Sequence, residues 1–311
     1  MDHQELGGAD LVMQFALRSE IRAEYMRPLE GIVSRAFRGK RILIVGIGAG
    51  SGLAENLSRF CPNELRLCDP DVVQLPNLPR TTYTFSDAAN RRLKVDALAM
   101  RIEAVNPLIR VTRWATDVTK MRAAALDEMT DGIDLMIAGT DDFRAQASLN
   151  ELAVKKDISA VFIGIHAGAQ GGRVVWYVPR LTPCYRCVTR DRFERVEKEG
   201  LERANLDGQP GSHFDCGLID IVAGKIAVAI LERGQDSSMA RFFEVMDGRN
   251  DVVVTCDPAY EWGNTVWSAV LTGIPEARVR ELRKTAVFAM NSLWLHGERD
   301  AKCPVCARRT V

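Results

Sequence analysis

The stretch RILIVGIGAGSGLAENLSRFCPNELRLCDPD, residues 41–71, decides the fold of this chain. It contains an apolar run, a glycine-rich turn, a helical pattern and a second apolar run that ends at Asp69. The turn holds four alternating glycines: Gly46, Gly48, Gly50 and Gly52. Glycines between a strand and a helix let the backbone approach phosphate, and the helix N-terminus adds N–H donors. The stretch therefore predicts a nucleotide-binding turn, with Asp69 positioned to accept hydrogen bonds from ribose hydroxyls.

The glycine-rich turn does not by itself choose the nucleotide. It departs from the G-x-G-x-x-G pattern because Ser51 stands at the third glycine position. The pattern is compatible with NAD, FAD and ATP alike, so an NAD-dependent oxidoreductase is one alternative at this point. A strand–turn–helix that binds no ligand is another.

Alternating strand and helix patterns extend from this stretch along the chain. Besides residues 42–45, four apolar runs are short enough to be buried strands: residues 65–68, 109–111, 133–138 and 160–165. Helix-length segments separate them, and one helix is predicted from Ser86 to near Asn106. The alternation predicts an α/β fold with a Rossmann-like, doubly wound, mostly parallel sheet.

The pattern changes after residue 165. Three segments are predicted to extend the sheet as antiparallel strands: residues 171–179, 241–245 and 251–256. Two helices are predicted, over residues 218–231 and about 275–295. These patterns predict an arginine-rich N-terminal arm, helical over residues 10–38, followed by a single domain. Its parts are the arm over 1–40, the domain over 41–311, a charged crossover loop over 188–215 and a helical insertion over 257–302.

Composition excludes several classes of function. The 311 residues carry 41 basic and 41 acidic side chains, so no bulk field attracts nucleic acid or anionic lipid. No apolar run reaches the roughly 18 residues of a membrane span, and the acidic N-terminus lacks a signal peptide's apolar core. We therefore expect a soluble cytoplasmic protein. Its eight cysteines are then expected to be metal ligands, reactive thiols or core residues instead of disulfides.

Two CxxC pairs indicate a metal site. CYRC supplies Cys184 and Cys187, and CPVC supplies Cys303 and Cys306. Two such pairs complete the four-sulfur shell that Zn²⁺ prefers in structural sites. The sequence therefore predicts a structural zinc site that ties residues 303–306 to the middle of the chain.

Three further segments follow the glycine-rich turn in a fixed order. They are CDPDVVQLPNLPR, RRLKVDALAMRIEAVNP and MIAGTDD, at residues 68–80, 91–107 and 136–142. Together with the CxxC pairs, they resemble the ThiF/MoeB/HesA family of ubiquitin-activating (E1-like) adenylyltransferases. The resemblance covers roughly residues 40–256 and the last CxxC. It implies that the turn holds ATP and that the protein is an enzyme of adenylation.

The resemblance also implies roles for individual residues. Asp69 would bind the ribose, Asp141 would hold Mg²⁺, and a triad would contact the phosphates: Asn77, Arg80 and Lys94. The full set of implied ATP contacts is Gly46, Gly48, Ala49, Gly50, Asp69, Asp71, Asn77, Arg80, Lys94 and Asp141. Physical chemistry agrees, because a carboxylate that attacks an α-phosphate needs cations and a metal to offset the charge. Each residue taken alone has a plain surface alternative.

Two further residues are candidates on weaker patterns. In this family an arginine from the N-terminal arm of a partner subunit reaches the site, which implies a homodimer, and Arg18 or Arg22 could fill that place. Cys216 lies where a helix is predicted to begin, and such a position lowers a thiol's pKa. We expect Cys216 to be the nucleophile of a thioester-forming step. The alternative is a half-buried thiol whose neighbours His213 and Asp215 cap the helix.

The resemblance implies a ubiquitin-like or sulfur-carrier protein with a C-terminal glycine as the substrate. An E2-like protein or another thiol would be the downstream acceptor. The insertion over residues 257–302 favours a specialised bacterial ubiquitin-like conjugation pathway over thiamine or molybdopterin sulfur transfer. Adenylation of a short peptide or small acid, and a non-catalytic adaptor that binds a carrier, are the remaining alternatives.

Overall fold

The computed structural model describes residues 19–166, 171–200, 211–255 and 291–307. Its strands, numbered in chain order, are β1 Arg41–Val45, β2 Glu64–Cys68, β3 Arg110–Trp114, β4 Leu135–Ala138, β5 Ser159–Ile165, β6 Gly171–Tyr177, β7 Asp251–Thr255 and β8 Asn291–Leu295. The helices are α1, residues 19–26, then α2 Ser51–Ser58, α3 Phe85–Ala89, α4 Lys94–Val105, α5 Ala123–Thr130, α6 Phe143–Lys156, α7 Tyr185–Val188, α8 Arg190–Glu199, α9 His213–Glu232 and α10 Ser238–Val245.

All eight described strands form one sheet in the order β3-β2-β1-β4-β5-β6-β7-β8. The first five pair in parallel, and β1 lies between β2 and β4. The chain therefore reverses its direction of winding between β3 and β4, and the carboxyl ends of β1 and β4 meet at this switch point. This arrangement confirms the predicted doubly wound, mostly parallel sheet.

The antiparallel extension is confirmed in part. β6 pairs antiparallel with β5, and β7 pairs antiparallel with β6, as predicted. The third antiparallel strand is not residues 241–245, because these belong to α10. Its apolar side chains recur at helical spacing, with Met239, Phe242 and Met246 packed on the core. A run of five residues is too short to distinguish the helical period of 3.6 residues from the strand period of two. The segment forms a helix that packs against α9.

Three other predicted elements need correction. The helix predicted from Ser86 is divided into α3 and α4, because Arg91 adopts a left-handed backbone with φ of 45° between them. The predicted crossover loop contains helix α8. The last residues of the helix predicted over 275–295 form strand β8 instead, and the preceding residues 256–290 lie outside the described part.

The N-terminal arm is helical in α1 and then consists of short 3₁₀ turns at Arg27–Leu29 and Arg35–Gly39. Residues 1–18, which include Arg18, lie outside the described residues. The arm is fixed to the C-terminal end of α9, where the carboxylate of Glu232 accepts hydrogen bonds from the amide and hydroxyl of Ser34, at 2.6 and 2.9 Å. Among the described helices, none has both the length and the apolar character that crossing a bilayer requires.

The core has two layers, one on each face of the sheet. Helices α2, α4, α9 and α10 cover one face, and α5 to α8 cover the other. Side chains of β1 alternate between the two layers: Ile42 and Ile44 pack in the first, and Leu43 and Val45 in the second. Both faces of the sheet are therefore buried and apolar at this strand.

We predict that Ile44→Ala lowers the free energy of unfolding by about 2–5 kcal/mol, because it leaves a cavity in a closely packed layer. Ile44 is fully buried in the central strand. Urea denaturation measures the loss. The exposed Leu181 is the control, and its replacement by alanine is expected to change stability by less than about 0.5 kcal/mol. Equal losses in the two variants would contradict the assignment of β1 to the centre of the core.

Candidate functional site

The glycine-rich turn is held against the end of β4 by a contact between two backbones. Gly46 has a φ of +81°, and a Cβ added to it would lie 2.5 Å from the amide nitrogen of Thr140. A Cβ added to Gly139 would likewise lie 2.7 Å from the carbonyl oxygen of Gly46. Only glycine fits at both positions. The turn that carries Asp141 is therefore brought next to the glycine-rich turn.

Asp69, directly after β2, stabilises the glycine-rich turn through hydrogen bonds to backbone amides. Its Oδ2 accepts a hydrogen bond from the amide of Ile47 at 2.9 Å, and its Oδ1 accepts one from the amide of Asp71 at 3.0 Å. Burial raises the pKa of Asp69, and the nearby Lys94 opposes that rise. Each carboxylate oxygen has a further lone pair, so contact with a ribose hydroxyl remains compatible with these bonds.

Lys94, the first residue of α4, brings a buried positive charge to the same place. Its Nζ lies 2.7 Å from Oδ2 of Asp71 and 3.6 Å from Oδ1 of Asp69. It also lies 3.9 Å from the position that a Cβ of Gly48 would occupy. The side chain is 9% exposed. The structure thus places the cation directly beside the glycine-rich turn, where phosphates of a nucleotide would lie.

Asn77 and Arg80 belong to a 3₁₀ turn, Leu75–Arg80, that contacts α9. The side-chain oxygen of Asn77 accepts a hydrogen bond from the amide of Gln74 at 2.9 Å and so stabilises the turn itself. Arg80 lies close enough to Cys216 for its charge to lower the pKa of that thiol. The structure therefore brings Arg80 and Cys216, two predicted site residues, to one location.

Asp141 follows β4 and has an exposed side chain. Its neighbour Asp142 caps α6, because the Asp142 carboxylate accepts a hydrogen bond from the amide of Ala145 at 2.9 Å. Of the two adjacent carboxylates, Asp141 is therefore the one directed to solvent beside the glycine-rich turn. A carboxylate oxygen is the kind of ligand that Mg²⁺ prefers, so the residue fits the predicted metal contact.

Cys216 lies in the first turn of α9, as predicted, but its pKa is not lowered. Burial, followed by the charge of Asp220, raises the thiol pKa to about 11, although the charge of Arg80 opposes the rise. The thiol is therefore protonated at neutral pH in this conformation. The N-cap residue of α9 is Ser212, whose hydroxyl accepts from the amide of Asp215, and the Asp215 carboxylate accepts in return from the amide of Ser212. Asp215 therefore takes part in capping the helix, as the alternative interpretation expected.

Asp220 is a residue of this region that the sequence analysis missed. It is 3% exposed, one helical turn after Cys216, and its Oδ2 accepts a hydrogen bond from the amide of Leu53 at 3.1 Å. Leu53 is in the first turn of α2, directly after the glycine-rich turn. Burial raises the pKa of Asp220 well above its ordinary value. The available signal was an acidic residue in the segment LIDIVAGKIAVAIL, whose only other charged residue is Lys225.

Of the two arginines predicted to reach a partner's site, only Arg22 is described. Its guanidinium donates to the carbonyl oxygens of Cys61 and Pro62, at 3.2 and 3.1 Å. It thereby ties α1 to the turn that follows α2 in its own chain. A role for Arg18 or Arg22 in a partner subunit stays a prediction.

The four cysteines of the CxxC pairs lie together, and all are buried. Their sulfurs are within 4.8 Å of one another, with separations of 3.8 Å for Cys184–Cys187, 3.7 Å for Cys184–Cys303 and 3.4 Å for Cys187–Cys306. A tetrahedral site with Zn–S bonds of about 2.3 Å places its sulfurs about 3.8 Å apart. The donor set therefore fits Zn²⁺, and four protein ligands leave no open position for catalysis.

Comparison with known proteins gives a family and a fold. A model of the ThiF family matches residues 29–253. Ubiquitin-like modifier-activating enzyme 5 of Drosophila persimilis is 27% identical over 206 residues, 61% of this chain and 52% of that protein. The same enzyme of Oryza sativa subsp. japonica is 27% identical over 186 residues, 54% of this chain and 44% of that protein. The chain thus spans about half the length of these relatives.

Two solved structures have a similar fold. E. coli MccB with ATP superposes with a TM-score of 0.60 over 87% of this chain and 67% of that chain, at 14% identity. PaaA superposes with a TM-score of 0.55 over 82% of each chain, at 19% identity. At these identities the similarity concerns the fold alone.

We predict that the purified protein contains about one zinc ion per chain and that Cys303→Ser loses it, because three thiolates no longer complete the shell. Metal analysis measures the content, and thermal unfolding is expected to occur at lower temperature in the variant and after chelation. Cys61→Ser is the control, since Cys61 is buried but outside the cluster. Zinc retained in full by Cys303→Ser would contradict the assignment.

A second prediction concerns Asp220. Because burial raises its folded-state pKa, the native protein binds the proton more tightly than the unfolded chain, and stability falls as pH rises from about 4 towards the raised value. Asp220→Asn keeps an acceptor for the amide of Leu53 and carries no charge. Its Tm is expected to exceed that of the wild type by an amount that grows as pH rises above about 4.

The control for this pH series is Asp131→Asn, at an exposed position, with a Tm difference that stays constant with pH. If the wild type were instead increasingly the more stable protein at higher pH, the dipole of α2 would outweigh the cost of burying the carboxylate, and the assigned direction would be wrong.

Proposed function

Since the chain belongs to the ThiF family, we propose that it is an E1-like adenylyltransferase that uses ATP and Mg²⁺ to activate the C-terminal glycine carboxylate of a ubiquitin-like or sulfur-carrier protein. One observation carries this proposal. The buried Lys94 amine stands beside Gly48, with Asp69 and Asp71 next to it. Hydride transfer from a nicotinamide does not require a cation here, whereas attack on a phosphate does.

The proposed chemistry assigns a task to each side chain. Asp69 binds the ribose, and Lys94 and Arg80 offset the charge that develops as a carboxylate oxygen bonds to the α-phosphorus. The bond from that phosphorus to pyrophosphate breaks, and pyrophosphate leaves with the electron pair. Asp141 would hold Mg²⁺, which supplies further neutralisation of the phosphate charge. The product is an acyl-adenylate.

Transfer of the acyl group to Cys216 is the proposed second step. The thiolate attacks the carbonyl carbon, a thioester forms, and AMP leaves. The described conformation holds Cys216 buried with a thiol pKa of about 11, which is unfavourable for attack. Acyl transfer therefore requires that the first turn of α9 become exposed and that the thiol lose its proton. A downstream thiol, such as that of an E2-like protein, would receive the group next.

The relatives named for activation of a ubiquitin-like modifier support this class of substrate. An arginine of the arm acting in a partner's site would make the protein a homodimer. A bacterial conjugation pathway and a cytoplasmic location stay predictions. Adenylation of a short peptide is the second candidate, and it is favoured by the fold similarity to the microcin C7 biosynthetic enzyme MccB, solved with N-formylated MccA.

ATP–pyrophosphate exchange tests the proposed reaction. We expect exchange that depends on a carrier protein with a C-terminal glycine, and a decrease of at least about 100-fold for Lys94→Ala, because the cation beside the phosphates is lost. Lys302→Ala is the matched control, since Lys302 is an exposed lysine next to the zinc cluster. Cys216→Ala is expected to keep exchange and to lose any thiol-labile adduct seen by intact-mass spectrometry.

Two results would reject parts of the proposal. Exchange that is supported by a free short peptide and not by a carrier protein would select the second candidate. Full exchange in Lys94→Ala would remove the charge argument on which the reaction is based.

A further inference from the structure

Gln146, in the first turn of α6, is a buried amide whose two N–H donors and two acceptor lone pairs all have partners. Its Nε2 donates to the carbonyl oxygens of Thr140 and Ile163, at 2.8 and 3.0 Å. Its Oε1 accepts from the hydroxyl of Tyr185 at 2.8 Å and from the guanidinium of Arg192. The side chain is 1% exposed. A buried amide with four partners fixes the relative positions of all four.

The four partners belong to parts of the molecule with different roles. Thr140 directly precedes Asp141, the candidate Mg²⁺ ligand. Ile163 is in β5 and gives the amide a rigid reference point. Tyr185 lies between the two cysteines of the first zinc knuckle, and Arg192 is in α8, the described helix of the crossover segment. Gln146 thus connects the knuckle and the crossover helix to the Asp141 turn through hydrogen bonds.

Aromatic side chains exclude water from this network. The ring of Tyr185 stacks on Phe162 with centroids 4.4 Å apart, and Phe143 meets Phe193 at 4.7 Å. The guanidinium of Arg192 lies 5.2 Å from the centroid of Phe143. Hydrogen bonds in such surroundings are stronger than in water, and the loss of one leaves a buried partner unsatisfied.

We propose that Gln146 is a positioning residue that holds the Asp141 turn in the geometry required for Mg²⁺·nucleotide binding and couples that geometry to the zinc knuckle. The inference rests on the proposed function, in which Asp141 contacts Mg²⁺. It assigns no contact with substrate to Gln146. The physical basis of the proposal is the hydrogen bond from Nε2 of Gln146 to the carbonyl oxygen of Thr140, the residue before Asp141.

Asn150 provides a matched comparison one turn further along α6. It is also 1% exposed, and its Oδ1 accepts from the amide of Tyr185 at 2.9 Å, while its Nδ2 lies 3.9 Å from the sulfur of Cys184. Asn150 therefore supports the knuckle in the same way as Gln146 but has no hydrogen bond to Thr140. A purely structural role predicts similar consequences for both residues.

The experiment measures binding of a non-hydrolysable ATP analogue as a function of Mg²⁺ concentration. For Gln146→Met, of similar length but without the amide, we expect about fivefold more Mg²⁺ at half-maximal binding, with nearly unchanged affinity at saturating Mg²⁺. Asn150→Leu is expected to keep the wild-type Mg²⁺ requirement and to release zinc faster to a chromogenic chelator. Tyr185→Phe, which loses one hydroxyl donor, is expected to show about a twofold shift in Mg²⁺ requirement and serves if Gln146→Met does not fold.

The two proposals fail in different ways. A wild-type protein without pyrophosphate exchange and without Mg²⁺-dependent analogue binding overturns the proposed function, and this inference with it. A wild-type protein that exchanges pyrophosphate, with the same Mg²⁺ requirement in Gln146→Met and Asn150→Leu, overturns only the role of Gln146. A shift confined to Gln146→Met and Tyr185→Phe supports it.

Discussion

The close approach of Gly46 to Gly139 and Thr140 is the constraint on which the rest of the site depends. Parallel pairing of β1 with β4 places these backbones at the same edge of the sheet. Gly46 there has a positive φ of 81°, a backbone conformation that glycine adopts without steric cost. A side chain at either glycine would separate the two strand ends. The glycine-rich turn and the Asp141 turn would then no longer lie side by side, as the proposed adenylation step requires.

Two buried charged residues near this contact, Lys94 and Asp220, have opposite surroundings. On the nucleotide side, Lys94 faces two carboxylates, so that a buried cation is balanced before any phosphate arrives. On the α9 side, Asp220 is buried at the first turn of α2 with no cation among its described charge partners, and its pKa is raised accordingly. The first arrangement holds a buried ammonium group in a fixed position beside the glycine-rich turn. The second provides a link from α2 to the helix that carries Cys216, at a cost in stability.

The sequence predicted the parallel half of the sheet well because buried strands and glycine-rich turns are encoded locally. Residues 42–45 are apolar throughout, and residues 65–68 are apolar except for Arg66, so both short runs favour buried strands. The zinc cluster was equally predictable, since two CxxC pairs have few other uses. Residues 241–245 were misassigned because five residues with two phenylalanines satisfy both periods, and only contact with α9 selected the helix. The raised pKa of Cys216 could not be predicted from the neighbouring sequence, because it depends on burial in the folded protein and on the charge of Asp220.

The zinc cluster has a consequence for how the chain is made. Its two halves are separated by 119 positions, measured from Cys184 to Cys303. During synthesis the first knuckle emerges with two thiolates and no partners, and it remains an incomplete, exchangeable site until residue 306 has been added. A polypeptide interrupted before that point lacks at least one of the four ligands. The complete zinc shell thus forms only after the chain has been synthesised past Cys306, which makes metal capture a late event in folding.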